Sequence, residues 1–192
     1  MCILALILLV KGMAQALESG QLKGSRTVII AVAAMLVALG VTFSMFKGIF
    51  SVPIGPTQVF PMESTINVIA GVMLGPWYAM LVAFLVSIIR IGMGTGTIFA
   101  LPGSIPGAFL VGVFYRYLWK NPASGFAEIL GTGIGGAVLS SLVFAPLSHE
   151  SGSIIFFITA FVPPSVIGSV VGYFALLAIR RTVRRRHGLQ FP

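Results

Sequence analysis

The residues able to do chemistry in this chain are few, and two short stretches concentrate them. In SIIRIGMGTGTIFALPGS, Arg90 ends an apolar run, and Thr95 and Thr97 follow it among glycines. In FPMESTINV, Glu63 and Asn67 are four residues apart, which places them on one face of a helix. Charge is costly inside a membrane and tends to mark function. Nucleotide binding, catalysis and small-molecule binding are the chemistries to weigh.

The reactive residues that the chain contains argue against nucleotide binding and against catalysis. A Walker A loop needs G-x-x-x-x-G-K-[ST], and no lysine follows the glycines of GMGTGT. The chain has no aspartate, four acidic residues, all glutamates, and two histidines, one in the loop at His149 and one in the basic tail at His187. These are too few and too dispersed for a metal site or a catalytic triad. We predict a protein that is not an enzyme, with no metal and no cofactor bound by this chain.

Composition then identifies the environment. Of 192 residues, 57% are hydrophobic and 8% are charged, where a soluble domain carries about a quarter charged residues. Such a chain cannot cover its surface in water, so we predict an integral membrane protein in contact with lipid. The net charge of +8 is concentrated in the terminal RRTVRRR and before the first long apolar run. That placement is typical of the cytoplasmic side of a membrane rather than of nucleic-acid binding.

Apolar runs bounded by charges, prolines and glycines predict an all-α fold, a compact bundle of six transmembrane helices. The predicted spans are Val28–Phe46, 63–75, 77–91, 98–118, 124–146 and 153–179. The distribution of Lys and Arg then places the N- and C-termini in the cytoplasm. Residues 1–26 are predicted to be an extension, either an interfacial helix or a mis-annotated start; 27–181 form the six-helix membrane domain, and 182–192 a basic cytoplasmic tail. We therefore expect a multi-pass protein of the cytoplasmic membrane.

This topology gathers the polar residues at one depth. Glu63, Asn67, Arg90 and the two threonines lie at the outward ends of their spans, under the proline-rich loop KGIFSVPIGPTQVFPME, which also contributes Phe50 and Phe60. Polar groups among aromatic walls are the usual composition of a small-molecule site. We predict an outward-facing pocket covered by the long loop after helix 1. A purely structural ion pair, or charges snorkelling to water, is the alternative.

Other polar and aromatic residues are expected to have structural roles. Glu128 and Thr132 open the fifth span at the cytoplasmic side, where Glu128 is expected to pair with Lys120 or Arg116 or to contact a partner. Pro163–Pro164 should kink the sixth span and open space in the bundle. The nearby phenylalanines are expected mainly to pack; they are Phe156, Phe157 and Phe161.

The segment Ile54–Gly112, with FPMESTINV, LGPWYA, IIR and GTGTIFALPGS, resembles the ThiW family, assigned to uptake of the thiazole precursor of thiamine. Six spans, an alanine pair in the first span and a basic C-terminus look like the substrate-binding S-component of an energy-coupling-factor vitamin transporter. The similarity extends from about Val28 to Arg181.

The resemblance implies a mechanism. Substrate, expected to be the thiazole alcohol hydroxyethylthiazole, is captured at the outer face by Glu63, Asn67, Arg90, Thr95 and Thr97 with Phe60, and an arginine would also suit a phosphorylated form. A transmembrane coupling protein and two ATPase subunits, which use the ATP, are the implied partners. Ala34 and Ala38 match the docking motif for that coupling protein. A stand-alone secondary permease for a small heterocyclic vitamin precursor is the alternative; an intramembrane enzyme and a structural scaffold fit less well.

Overall fold

The computed structural model describes residues 26–46, 52–54, 57–149 and 153–187. Within these ranges the fold is all-α apart from one short β-hairpin, which confirms the predicted bundle of six helices. The elements are α1 (Arg26–Met45), β1 (Val52–Ile54), β2 (Thr57–Val59), α2 (Pro61–Leu74), α3 (Pro76–Gly92), α4 (Ala100–Val113), α5 (Pro122–Leu147) and α6 (Ile154–His187). The predicted extension lies outside the described residues except for Arg26, which begins α1.

The six helices differ in length. Among the described residues, three segments are long and apolar enough to cross a membrane: α1, α5 and the Ile154–Arg181 part of α6. Helix α2 has 14 residues and α3 has 17, so at 1.5 Å per residue they span only about 21 and 26 Å of a roughly 30 Å hydrocarbon core. Helix α4 also has 14 residues and continues as a π-helical turn over Phe114–Leu118. By length, therefore, three of the six predicted spans match a transmembrane helix.

A tight turn at Gly75 joins α2 and α3 into an antiparallel hairpin. Gly75 has φ 83°, a conformation that glycine adopts readily, and Pro76 occupies the start of α3, where its missing N–H costs nothing. Helix α4 crosses this turn at Gly112, where a Cβ atom would lie 2.5 Å from the Cα of Pro76. The predicted GPW turn is thus present, and it brings the start of α2 beside the end of α3.

Glycines allow the other helices to approach closely. At the α4–α5 crossing, a Cβ on Gly131 would lie 2.5 Å from the Cα of Gly107. At the α2–α6 crossing, a Cβ on Gly168 would overlap the carbonyl oxygen of Pro61. Small residues are the usual means of packing helices where lipid supplies no hydrophobic drive. The helices therefore pack with their backbones in contact near the centre of the bundle.

Two helices depart from the expected regularity. Helix α5 begins with a 3₁₀ turn at Pro122–Phe126 and contains π-helical stretches at Ile129–Gly136 and Ser140–Phe144. Helix α6 continues through its two prolines to His187, so the predicted start of the tail at residue 182 falls within a helix.

The bundle has two chemically different ends. The Arg180 Nη2 donates to the Tyr115 hydroxyl at 3.0 Å, which places the last turns of α6 beside the end of α4. At the opposite end, the Ser44 hydroxyl near the end of α1 lies 3.2 Å from the Thr95 hydroxyl in the loop after α3. Arg90 and Glu63 lie at this second end, away from the basic one.

Candidate functional site

An ion pair between α2 and α3 forms the centre of the site. Glu63 lies in the first turn of α2 and Arg90 in the last turn of α3, so the antiparallel hairpin sets them side by side. Arg90 Nη1 donates to Glu63 Oε2. Arg90 is only 1% exposed, so this is a buried pair rather than two groups snorkelling to water. The two residues, expected at the same level of the bundle, are in direct contact as an ion pair.

Phe60 covers the guanidinium group. The Arg90 Cζ lies 4.7 Å from the centre of the Phe60 ring, within the range of a cation–π interaction. Phe60 immediately precedes α2 and is itself buried. The Nε and Nη2 atoms of Arg90 have no hydrogen-bond partner among the described residues. Two nitrogen atoms of the buried guanidinium group therefore have unused donors.

Serine and asparagine side chains extend the network from this pair toward the middle of the bundle. The Ser87 hydroxyl donates to Glu63 Oε1 at 3.2 Å and lies 2.9 Å from the Ser104 hydroxyl on α4. The Asn67 Nδ2 donates to the Ser104 carbonyl oxygen at 3.2 Å. All of these side chains are buried. Three helices thus share one polar chain.

Glu128 ends this chain, which corrects the expectation that it pairs with Lys120 or Arg116. Its Oε1 accepts from Asn67 Nδ2 at 3.0 Å and from the Thr132 hydroxyl at 2.8 Å. Glu128 is fully buried, whereas Lys120 and Arg116 are exposed. The reason is the glycine crossing of α4 and α5, which draws the first turns of α5 into the bundle instead of leaving them at the membrane surface.

The polar chain borders a cavity of about 40 Å³. Its polar lining comes from Glu63, Ser64, Ser104 and Thr132. Its apolar lining comes from Val59, Phe60, Phe99, Ala100, Gly103, Phe161 and Pro164. Val59 ends the β-hairpin that follows α1, so the described part of the predicted covering loop does reach this cavity. Phe50 lies outside the described residues.

The two loop threonines do not line the cavity. The Thr95 hydroxyl donates to the Arg90 carbonyl oxygen at 3.2 Å, and the backbone N–H groups of Thr95 and Gly96 donate to the same oxygen. Together with the contact to Ser44, this ties the end of α3 to α1. Thr97 keeps a buried hydroxyl without a partner among the described residues. Both threonines were predicted to bind substrate, and neither is among the residues that line the cavity.

Sequence reasoning missed several wall residues. Phe161, expected to pack, faces the cavity, and it stacks on Phe157 at 5.8 Å between ring centres, which in turn lies 5.0 Å from Phe99. The sequence feature that indicates this part of the wall is the Pro163–Pro164 pair. Prolines remove backbone hydrogen bonds from α6 at this point, and Pro164 itself lines the cavity.

The predicted docking residues lie on a different face. Ala34 and Ala38 are exposed and line an apolar groove between α1 and α3, together with Ile30, Leu81 and Leu85 among others. Alanine leaves such a surface smooth enough for another helix to approach closely.

Comparison with protein families gives one match over most of the chain. The model for "Thiamine-precursor transporter protein (ThiW)" matches residues 30–182, from the second turn of α1 to the last part of α6. Comparison with curated proteins and with solved structures gives no match. The match covers every element of the cavity and the groove.

Proposed function

The chain belongs to the ThiW family of thiamine-precursor transporter proteins, and from this premise we propose that it captures hydroxyethylthiazole as the substrate-binding subunit of an energy-coupling-factor importer. It is a membrane protein of a transporter family and not of an enzyme family. The proposal concerns which precursor is bound, which partners take part and how transport is energised.

The observation that supports the proposal is the cavity beside the Glu63–Arg90 pair. A thiazole alcohol is a small neutral heterocycle with an aromatic ring, one hydroxyl and one ring nitrogen. The cavity offers aromatic walls at Phe60, Phe99 and Phe161 and polar groups on one side. This is the composition expected of a site for such a ligand.

Substrate entry requires the covering segment to move. The cavity is about 40 Å³, whereas occupied small-molecule sites are typically about 300–1,000 Å³. Val59 and Phe60 are the lining residues that come from the segment after α1. We infer that this segment opens to admit substrate and closes over it.

The charge distribution supports an outward orientation. Exposed Arg116 and the Arg180–Tyr115 contact lie at the end of the bundle opposite the cavity, and positively charged ends remain on the cytoplasmic side. In the proposed arrangement all six helices are embedded in the cytoplasmic membrane, both termini are cytoplasmic, and the cavity opens outward.

The groove at Ala34 and Ala38 supports dependence on partners. It is apolar, exposed and unoccupied by any described element of this chain. In the proposed complex a transmembrane coupling protein packs there and carries two ATPase subunits, which supply the ATP hydrolysis for which this sequence has no P-loop.

A binding titration tests the proposal. The chain is purified alone in detergent and titrated by calorimetry with hydroxyethylthiazole, thiamine, the pyrimidine precursor and riboflavin. We expect tight binding of hydroxyethylthiazole and no measurable binding of riboflavin. Failure to bind any of the four would overturn the assignment.

Reconstitution tests the dependence on partners separately. Proteoliposomes containing this chain alone are compared with proteoliposomes that also contain the coupling protein and ATPases with internal ATP. We expect accumulation of the thiazole only in the second set. Accumulation by the chain alone would favour a secondary permease.

A further inference from the structure

The inner end of the polar chain is short of hydrogen-bond donors. Of the donors near Glu128, the Asn67 amide and the Thr132 hydroxyl both bind the same oxygen, Oε1, and the Ser64 hydroxyl also lies close to the carboxylate. Glu128 Oε2 and Asn67 Oδ1 have no hydrogen-bond partner among the described residues. Glu128 is 0% and Asn67 1% exposed, so both acceptors are shielded from bulk solvent. Buried acceptors are normally satisfied, and each exception calls for an explanation, for which a bound molecule is one candidate.

These two acceptors lie directly behind the cavity wall. Thr132 lines the cavity and donates to Glu128, while Ser104 lines it and accepts from Asn67. On the α4 side, the Glu128 carboxylate packs against Gly107, where a Cβ atom would overlap Oε2. The opposite end of the network behaves differently, since there Arg90 holds unused donors.

The charges near the cavity do not favour an anion. Among the described residues, the buried ionisable side chains are Glu63, Arg90 and Glu128, one guanidinium and two carboxyl groups. Arg90 is already paired with Glu63, and Phe60 covers its face. A phosphate ester would add a charge of about −1.5 to −2 to this environment.

We propose that Glu128 and Asn67 form the hydrogen-bond-accepting end of the substrate site and bind the hydroxyl of a small neutral alcohol in preference to its phosphate ester. The hydroxyl enters between Ser104 and Thr132 and donates to the acceptors that lack a partner. This assignment rests on the proposed function, because it specifies which form of the thiazole precursor the same cavity accepts. Glu128 is then a specificity-determining residue.

Three ligands that differ at one position test the assignment on the full-length wild-type protein. They are hydroxyethylthiazole, the ethyl analogue that lacks the hydroxyl, and the phosphate ester. We expect the alcohol to bind roughly 10- to 100-fold more tightly than the ethyl analogue, the usual effect of satisfying buried acceptors. The phosphate ester is expected to bind at least about 100-fold more weakly than the alcohol, because like charges juxtaposed in a binding site are strongly unfavourable.

The same titrations on Glu128→Gln separate a binding role from a structural one. The Gln amide replaces one carboxylate oxygen by a donor, so the preference for the alcohol over the ethyl analogue should fall to about threefold or less. Ser169→Ala is the matched control. Ser169 is a fully buried serine of α6 outside the network, and its hydroxyl has no partner among the described residues. This variant should prefer the alcohol over the ethyl analogue as strongly as the wild-type protein does. Should Glu128→Gln fail to purify as a monodisperse protein, Asn67→Leu provides the second test, with the same expected loss of preference.

Each result has a definite consequence. Equal affinity of the wild-type protein for the alcohol and the ethyl analogue, or tighter binding of the phosphate ester, overturns this assignment while leaving thiazole binding intact. An equal loss of affinity for both neutral ligands in Glu128→Gln also overturns it, because that is the signature of a purely structural role. Binding of none of the three by wild type overturns the proposed function, and this assignment with it.

Discussion

Removing one partner of the Glu63–Arg90 pair should destabilise the bundle severely. The pair is desolvated, with side-chain exposures of 1% for Arg90 and 10% for Glu63, so water screens it little. A buried pair that loses one partner leaves an uncompensated charge, which costs about 3–5 kcal/mol. Glu63→Gln and Arg90→Met should each lower the free energy of unfolding by this amount, equivalent to about 6–20 °C in midpoint for a chain of this size.

The double variant, which removes both charges, gives the more discriminating test of the pair. With both charges gone, neither partner is left uncompensated, so Glu63→Gln combined with Arg90→Met should cost no more than about 3 kcal/mol, well below the sum of about 6–10 kcal/mol for the two single variants. The difference, about 3 kcal/mol or more, measures their coupling. The part that remains reflects lost packing against Phe60 and the lost carboxylate acceptor for Ser87.

The assay is unfolding of the detergent-solubilised protein by titration with SDS, followed by the loss of helical circular dichroism. Arg181→Met is the matched control because Arg181 is exposed on α6, and it should change stability by no more than about 0.5 kcal/mol. If the two single effects add within about 0.5 kcal/mol in the double variant, the residues do not act as a pair and the reasoning is refuted.

Three further predictions concern the groove, the glycine crossing and the aromatic wall. Ala34→Trp or Ala38→Trp should abolish ATP-dependent uptake in proteoliposomes and leave hydroxyethylthiazole binding unchanged; unimpaired uptake would contradict docking at this groove. Gly107→Ala adds a Cβ that overlaps Glu128 and Thr132, so it should lower the free energy of unfolding by about 1–3 kcal/mol in the same SDS titration. A Cβ on Gly92 meets nothing within 4 Å, so the control Gly92→Ala should be neutral or slightly stabilising. Equal effects of the two substitutions would contradict the close crossing of α4 and α5. Phe161→Ala removes a buried wall of the cavity and should weaken thiazole binding at least about tenfold, while unchanged affinity would exclude this cavity as the site.

Much of the site was predictable because charge is so scarce. In a chain with 8% charged residues, Glu63 and Arg90 stand out, and the α2–α3 turn required by Gly75–Pro76 brings them together. The same reasoning assigned Thr95 and Thr97 to the pocket, because the sequence indicates the level of a residue along the bundle but not the direction in which its side chain points. In the structure neither threonine lines the cavity, and Thr95 instead caps the end of α3 and contacts α1.

Glu128 shows what sequence reasoning could not reach. Its contact with Asn67 joins residues 61 positions apart, and no local pattern connects them. Position near the start of a span predicted a surface partner, whereas the close glycine crossing of α4 and α5 carries the side chain to the centre.

The sequence by itself determined the class of protein, the number and order of the helices, the turn between α2 and α3, and the placement of two rare charges at the same end of that hairpin. Each of these follows from composition, from the prolines and glycines that end or interrupt helices, or from the free-energy cost of placing charge in an apolar medium. Only the tertiary structure decided how each helix is rotated about its axis, and hence that Phe161, Ser104 and Thr132 line the same cavity as Glu63. A helix that is apolar nearly all round carries no stripe to indicate its buried face. Its rotation is set by the close contacts of glycines with neighbouring helices, and those contacts exist only once the bundle has formed.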